Sequence, residues 1–543
     1  MTRLRPGVRA TPLPGGVHVR AWTGSFTVEG GAGVPVLWGR LEDALRRDEL
    51  ENLLAQAGPN ARRVLTRLLD TLDGHGMLVP SPHPGEGRAG DWFAAVAPDP
   101  AAGQRAVSDV VFTVSTGPHD ADLARAVERS LLRFGASVAL AQDPDAPPGQ
   151  AVLEASGHAV ALRVGADLAF VTEPAPSELV RADARALAER LALAPPAKAA
   201  ATGAMTALVA GAAAQRLVSA VAALPDPATH GENPRLPEDW PSVLVATADP
   251  FGAEYHPWRG RVVPAPATLA DALRTVEALC DERTGLLPAV RPGALPQLPA
   301  ALAGSDAPGR ALMAAAARVD LARLEAACQA AELQIAETFG GGHAVAVGFD
   351  HGHAAGRSLR ASALALPLTG LGQVDDGEWN EDQHARYWRH ALAGLLGVSV
   401  LTRVFAVAEG VYRAEVCLED DVLGRGDVLG QAIEATPGDA AAFAALAATG
   451  VAQSRAAAAT AAHLIEHVPP SGALTSFAAS GLALAPWESP GSAAAWIADV
   501  AGRQADLRDR LVRLVGPVRR WFPWQAGPFW DAGLTVVVPG GEP

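Results

Sequence analysis

Apolar and polar residues alternate strictly at the start of the chain. VHVRAW (17–22) and SFTVEG (25–30) carry apolar side chains at every second position, the period of a half-buried strand. Thr23-Gly24 between them predicts a hairpin turn. The period then lengthens to that of a helix in VPVLWGRLEDALRR, DELENLLAQAG and PNARRVLTRLLDTLDGHG. In the third stretch Val64, Leu65, Leu68, Leu69 and Leu72 share one side, with Pro59 near the start and Gly74 and Gly76 near the stop. A short strand, MLVP, closes the pattern. Strands and three helices within residues 1–80 predict a small winged-helix-like module.

Residues 109–140, DVVFTVSTGPHDADLARAVERSLLRFGASVAL, run as strand, turn, helix and strand. LEASGHAVALRV, ADLAFVTEPAP and SVLVATAD (242–249) read as further strands, and TGAMTALVAGAAAQRLVSAVAAL (202–224) as a long helix. Strands alternating with helices predict an open α/β sheet over 105–260. The first half of a nucleotide-binding unit has this shape, but its turn needs glycines so that backbone amides approach phosphate. Here the turn holds one glycine, Gly117, followed by Pro118, which has no N–H, and by Asp120, whose charge repels phosphate. Asp120 is expected to cap the helix instead.

Beyond the proline-rich stretch 287–309, helical patterns (VDLARLEAACQAAELQIAETF, DQHARYWRHALAGLL, DAAAFAALAATGVAQSRAAAATAAHLI) mix with strands (HAVAVGFD, VSVLTRVFAVA, VYRAEVCLE). This predicts an α+β domain over 265–543. The whole is a multidomain α/β and α+β chain, its breaks set by proline and glycine clusters.

Composition narrows the classes. A chain of 543 residues is too long for one core. Half of it is apolar, no apolar run approaches membrane-spanning length, and the first residues lack a secretory pattern, so a cytoplasmic protein away from membranes is expected. Cys280, Cys328 and Cys417 lie far apart, which fits a reducing compartment and gives no cysteine cage for zinc. A net charge of −15 argues against non-specific nucleic-acid binding.

A winged-helix module has two uses. Arg62, Arg63 and Arg67 suit phosphate contacts with DNA, yet Glu49, Glu51, Asp70 and Asp73 surround them. The other use is peptide capture: an extended guest segment adds to the exposed hairpin edge and lies in the groove against the third helix. Acidic guest side chains would then meet arginines.

In their order, these parts resemble the leader-peptide-binding, ThiF-like F proteins of azole-peptide (bacteriocin and thiopeptide) maturation. GVHVRAWTGSFTVEGGAGVPVLWGRL resembles the PqqD-like recognition module of that family, FVTEPAPSELVRADARALA and LVAGAAAQRLVSAVAALPDPA its ThiF-like middle, and the last segment a YcaO domain. The resemblance implies binding of the leader of a ribosomal precursor peptide as a strand added on Ser25, Phe26, Thr27 and Val28, against the third helix at Arg62, Arg63, Thr66 and Arg67. Active YcaO members, which turn Cys, Ser or Thr into azolines with ATP, place S-x-x-E-x-x-E-R on one helix, its carboxylates holding magnesium. AACQAAELQIAETFGG departs from that pattern. With Glu337 on the last glutamate, Ala331, Gln334 and Thr338 fill the other places, and Glu325 and Glu332 share the helix. Gln453 has only Thr449 and Gly450 where a glutamate is expected upstream. The resemblance therefore implies a degenerate YcaO-like half without catalytic residues, metal or cofactor of its own. ATP and Mg are expected on a separate YcaO cyclodehydratase, with a flavin-dependent azoline dehydrogenase as a further partner. An active single-chain cyclodehydratase using Glu325, Glu332 or Glu337 is the alternative, and a winged-helix DNA-binding regulator a second one.

Other constellations have plainer explanations. HLIEH (463–467) matches a zinc-peptidase spacing but reads as a helix end. His343, Asp350, His351 and His353 read as a polar turn after a strand, and Glu419-Asp420-Asp421 as a solvated turn. TSFAASG and PPSGALTS lack a nucleophile elbow. The aromatic cluster RRWFPWQAGPFW (519–530) suits either core packing or docking of a partner.

Overall fold

A computed structural model describes residues 2–540 except 22–23, 81–87, 194–201, 230–235, 237–239, 259–265, 308–309, 339–344, 420–427, 461–490 and 522–527. The chain is mixed α/β and divides into two compact units, Met1–Tyr255 and His256–Pro543. Residues 1–80 and 105–255 thus lie in one unit.

The first unit begins with β1 (Thr2–Leu4), β2 (Arg9–Leu13), β3 (Gly16–Ala21) and β4 (Gly24–Glu29). Helices α1 (Gly33–Arg47), α2 (Leu50–Gln56) and α3 (Pro59–Gly74) follow, then β5 (Leu78–Pro80). β2, β3 and β4 form one antiparallel sheet in that order, and β5 returns to pair with β1. The alternation predicted the β3–β4 hairpin, whose tip, 22–23, lies outside the described residues. β1 and β2 were not anticipated, because RATPLPGG carries little alternation. Gly16 admits no side chain, since a Cβ there would stand 2.0 Å from the Val28 carbonyl oxygen. Val17 and Val19 from the sheet meet Trp38, Leu41, Leu45, Leu65, Leu68 and Leu72 from the helices in one buried core. Each such side chain contributes about 1.5–3 kcal/mol by burial.

After α4 (Arg88–Val96) and α5 (Pro100–Ser108) comes a larger sheet: β6 (Val111–Thr116), β7 (Ser137–Gln142), β8 (Gln150–Ala155), β9 (His158–Val164), β10 (Leu168–Val171), β11 (Ser242–Ala248) and β12 (Phe251–Pro257). Its order is β12-β11-β10-β9-β8-β6-β7. Only β6 and β7, joined through α6 (Ala121–Leu132), are described as a parallel pair, and β6, β8, β9, β10 and β11 pair antiparallel. LEASGHAVALRV, expected as one strand, is a hairpin turned at Ser156 and Gly157, with φ of 50° and 80°. Its Ser-Gly pair is the turn signal. Helix α7 (Ser177–Arg190) precedes α8 (Thr202–Val221). By length and composition Gly203–Val221 is apolar enough to cross a membrane, contrary to the expectation from hydropathy. Met205, Val209, Ala213, Leu217 and Val218 are instead fully buried among the strands of the large sheet.

The second unit opens with α9 (Leu269–Leu279), capped by Thr268 and Asp271 in a reciprocal box. Three strands, β13 (Val290–Arg291), β14 (Ala301–Ala307) and β15 (Arg310–Ala316), form one sheet against α10 (Val319–Thr338). Next come β16 (Ala346–Gly348), α11 (His351–Leu364), β17 (Gly372–Gln373) and α12 (Gln383–His390), which runs into a π-helical turn, Ala391–Leu395. A four-stranded antiparallel sheet joins β17 to β18 (Val400–Ala408), β19 (Val411–Leu418) and β20 (Val428–Glu434), backed by α13 (Pro437–Thr460). Buried alanines of α13 let it lie so close to β20 that a Cβ on Gly430 would stand 2.2 Å from the Ala444 carbonyl oxygen. α14 (Gly491–Val515), β21 (Val518–Arg520) and β22 (Thr535–Pro539) complete the unit, β22 lying between β16 and β21.

Candidate functional site: a free strand edge and an arginine-bound carboxylate pair

β4 is an edge strand, paired only with β3 among the described residues. The Gly30 N–H donates to the Gly15 carbonyl at 2.8 Å, and this fixes which backbone groups point where. In an antiparallel ladder, bonded and non-bonded pairs alternate. Phe26 and Val28, opposite Val19 and Val17, therefore spend their N–H and C=O groups on β3, and their side chains turn to the core. Ser25, Thr27 and Glu29 direct their N–H and C=O groups to the open edge. The Phe26 ring stacks on His75 at the end of α3, centroids 4.6 Å apart, tying the edge strand to that helix.

On α3, Arg63, Thr66 and Arg67 are exposed, as is Arg62. Arg62 is already engaged: its Nε donates to the Leu54 carbonyl at 2.8 Å and its Nη2 to that of Ala55 at 3.3 Å. It closes the end of α2, where carbonyls lack helical partners. Arg63 and Arg67 have no side-chain partner among the described residues and remain available to a guest.

The turn after β6 holds the Asp120 carboxylate. Asp120 occupies the N-cap position of α6, but its side chain makes no capping bond. Its Oδ2 instead accepts the Gly149 N–H at 3.1 Å and lies 3.0 Å from where a Cβ on Gly117 would stand. The expected cap is thus a cross-loop tie, with a carboxylate lying over the turn that a phosphate would need.

In the second unit, α10 carries Glu325, Gln329 and Glu332 inward, and Glu337 is exposed. Arg357, on α11 and 5 % exposed, lies between the two inward glutamates. Its Nη1 bonds Glu325, and its Nη2 reaches both oxygens of Glu332, at 2.9 and 3.0 Å. The other Glu325 oxygen accepts from Gln329 at 2.8 Å, and Glu332 Oε1 also accepts the Val347 N–H at 2.9 Å. All four carboxylate oxygens are therefore taken. Burial pushes the Glu332 carboxyl up, and Arg357 opposes that. Burial disfavours the Arg357 charge, but Glu325 and Glu332 outweigh it and hold the guanidinium well above its ordinary value. A magnesium ion needs open carboxylate oxygens. This set, satisfied by an internal cation, does not fit one.

Neighbouring positions are similarly closed. Arg360, one turn from Arg357, pairs with Glu434 at 3.1 Å and bonds Gln504. His353 is buried with its Nδ1 accepting the Phe349 N–H at 3.3 Å. Burial, then Arg357 and Arg360, hold its pKa well below the ordinary value, so the ring is neutral. Gln453 bonds the backbone of Pro296 and Ala300, and Thr449 the Ala445 carbonyl. Asp350 caps α11 by accepting the His353 N–H at 2.7 Å, and His351 is exposed. Burial raises the thiol of Cys280 to about 11 and that of Cys328 further.

HLIEH, His343, Asp420, Asp421, TSFAASG and PPSGALTS lie outside the described residues, and Glu419 sits in a turn. From the aromatic cluster, Trp521, Phe529 and Trp530 pack on the core, with Arg520 over the Trp530 ring at 4.8 Å. Sequence reasoning missed Arg357 and Arg360. Their signal is GHAAGRSLRASA, two arginines three apart among residues too small to cover them.

No family model and no curated protein matches the chain. Among solved structures it is similar to a heterocyclase determined in complex with substrate and cofactor, at 12% identity and a TM-score of 0.53, over 100% of this chain and 95% of the other. It is also similar to the heterocyclase TruD, at 12% identity and 0.47, over 100% and 94%. The E. coli protein MccB, determined with MccA, matches 47% of this chain and 96% of its own, at 10% identity and 0.30. The chain therefore shares the fold of a heterocyclase along its whole length.

Proposed function

We propose that this chain binds the leader of a ribosomal precursor peptide as an added strand on β4 and presents the peptide to a separate YcaO cyclodehydratase for azoline formation. The observation that carries this reading is the open edge of β4, where Ser25, Thr27 and Glu29 offer backbone groups beside Arg63, Thr66 and Arg67 of α3. Tethering by the leader raises the concentration of the rest of the peptide at the partner enzyme. Chemistry on this chain is not required. Arg357 supports that part of the reading, because it engages the carboxylates that would otherwise be open to a metal ion.

A second reading, a single-chain cyclodehydratase with its own ATP turnover, draws on the full-length match to a heterocyclase. ATP hydrolysis by the purified chain with a precursor peptide separates the two. The first reading expects leader binding without turnover until a YcaO partner is added. Turnover by this chain alone, lost in Glu325→Gln or Glu332→Gln, would establish the second. A flavin-dependent dehydrogenase acting on the product belongs to the same proposal.

A further inference from the structure

The first unit has a second feature on the side of the sheet away from β4. The loop Arg5-Pro6-Gly7-Val8, with Leu4, Arg9 and the last turn of α1, encloses an open cavity of about 410 Å³. Three of its seven lining residues are arginines: Arg5, Arg9 and Arg46. Arg5 is 5 % exposed, yet no carboxylate pairs with it among the described residues. Its Nε donates to the Gly76 carbonyl and its Nη1 to those of Ala94 and Ala97, so three neutral acceptors hold a buried cation while Nη2 has no acceptor among the described residues. A buried charge without a counter-charge is costly, and an anion in the cavity would relieve it. Arg46 is the exception in the set, since Glu42 accepts from it at 2.5 Å.

The positive surface continues outside the cavity. Arg9 of β2 lies directly opposite Arg20 of β3, and Arg20 opposite Ser25 of β4. All three are exposed and on the face away from the core. Like charges facing each other across a ladder are unfavourable, and neither arginine has an acidic partner among the described residues. The row of guanidiniums runs from the cavity across the sheet at the spacing of adjacent strands, about 4.8 Å. A lone phosphate would fill little of the cavity, whose size is in the range that takes a ligand of several residues. Carboxylates at neighbouring positions of a peptide match the row.

We infer that this cavity and the Arg9–Arg20 row form a binding site for an acidic peptide segment, separate from the β4 edge. The segment places one carboxylate within reach of Arg5 and Arg46 and the next ones over Arg9 and Arg20, in charge-assisted hydrogen bonds. The site goes beyond strand addition and stands or falls without it.

The test is fluorescence anisotropy on the full chain with a labelled tetraglutamate peptide, its tetraglutamine counterpart and inorganic phosphate as competitor. Tetraglutamate is expected to bind, with affinity falling as salt rises, and tetraglutamine not to bind. Arg9→Gln with Arg20→Gln, both exposed positions, should weaken tetraglutamate at least about tenfold with an unchanged melting curve, and Arg46→Gln should do so alone. Thr27→Pro should leave it intact. Equal binding of the two peptides, or wild-type affinity in the arginine variants, would overturn the assignment. So would loss of binding in Thr27→Pro, which would place the peptide on the strand edge. Displacement by an equal concentration of phosphate would show a lone oxyanion site and overturn the acidic-segment reading as well.

Discussion

Arg357 lies across Glu332 as a two-pronged ion pair, its Nη2 2.9 Å from one carboxylate oxygen and 3.0 Å from the other, while Nη1 holds Glu325. One guanidinium on α11 thereby engages two glutamates on α10, with Arg357 and Glu325 buried and Glu332 partly buried. Removing the cation would leave like charges facing each other in the interior.

Arg357→Ala should therefore lose about 3–5 kcal/mol of stability, the usual cost of breaking a buried ion pair from one side. Denaturant unfolding measures this as a lower midpoint at unchanged slope. Combining it with Glu325→Gln and Glu332→Gln should recover part of the loss, because the uncompensated charges go too. A wild-type midpoint for Arg357→Ala would mean that water solvates the glutamates.

Thr27→Pro should abolish strand addition without harming the sheet. The Thr27 N–H points to the open edge, so proline there removes no backbone bond to β3 and loses only the exposed contact of Thr27 Oγ1 with His18 Nδ1 at 2.9 Å. Leader-peptide affinity should fall by at least about tenfold, read by calorimetry, with the melting temperature kept. Undiminished binding would move the peptide site off β4.

Glu173 sits beside a buried cluster in which Arg216 bonds Asp226 at 2.9 Å and the Ser242 N–H donates to Glu173 at 3.3 Å. Burial raises its carboxyl from 4.5 to about 7, against the pull of Arg216 and with the push of Asp226. A carboxyl raised in the fold favours the folded state fully below pH 4.5, and this contribution is lost as pH rises through about 7. Glu173→Gln should flatten that decline, so its advantage over the parent grows from pH 5 to pH 8 in melting temperatures, by about a degree or more.

Asp281 shows the opposite sign. Burial alone would raise its carboxyl, but hydrogen bonds from His256 and the N–H groups of Thr284 and Arg283 overcome this and hold it at about 2, below the usual 3.8. Its stabilisation is present above pH 3.8 and drains away as pH falls towards 2. Asp281→Asn should melt lower than the parent at neutral pH, and the gap should close on acidification through that window. A gap independent of pH would show that the carboxylate charge is not what the site uses.

Elements with a sustained period were legible in the sequence. The β3–β4 alternation, the Leu65–Leu68–Leu72 stripe of α3 and the long α8 and α10 each satisfy local geometry with local residues, so pattern alone locates them. β1 has too few residues to show a period and forms because a distant strand, β5, pairs with it, while β2 and β13 carry too little alternation to show one before they pair with the strands that follow them. The β8–β9 hairpin had its Ser-Gly signal, which a continuous apolar run on both sides obscured. At the candidate site, Ser25 to Val28 were named from the resemblance to a peptide-recognition module. Ladder geometry alone divides them, Ser25 and Thr27 to the edge and Phe26 and Val28 to β3 and the core. Arg62 was named as a guest contact, and only the fold shows it bonded to the end of α2.

Composition, periodicity and turn residues thus determined the mixed α/β character and the small strand-and-helix module at the start. Those properties depend on residues near one another in the chain. Tertiary structure decided the antiparallel character of most of the large sheet, the Asp120–Gly149 tie and the placing of Arg357 between Glu325 and Glu332. The last two are contacts across 25 residues or more. A sequence shows which side chains carry charge, but only packing decides which opposite charge lies within 3 Å, and that distance separates an open carboxylate from one already neutralised.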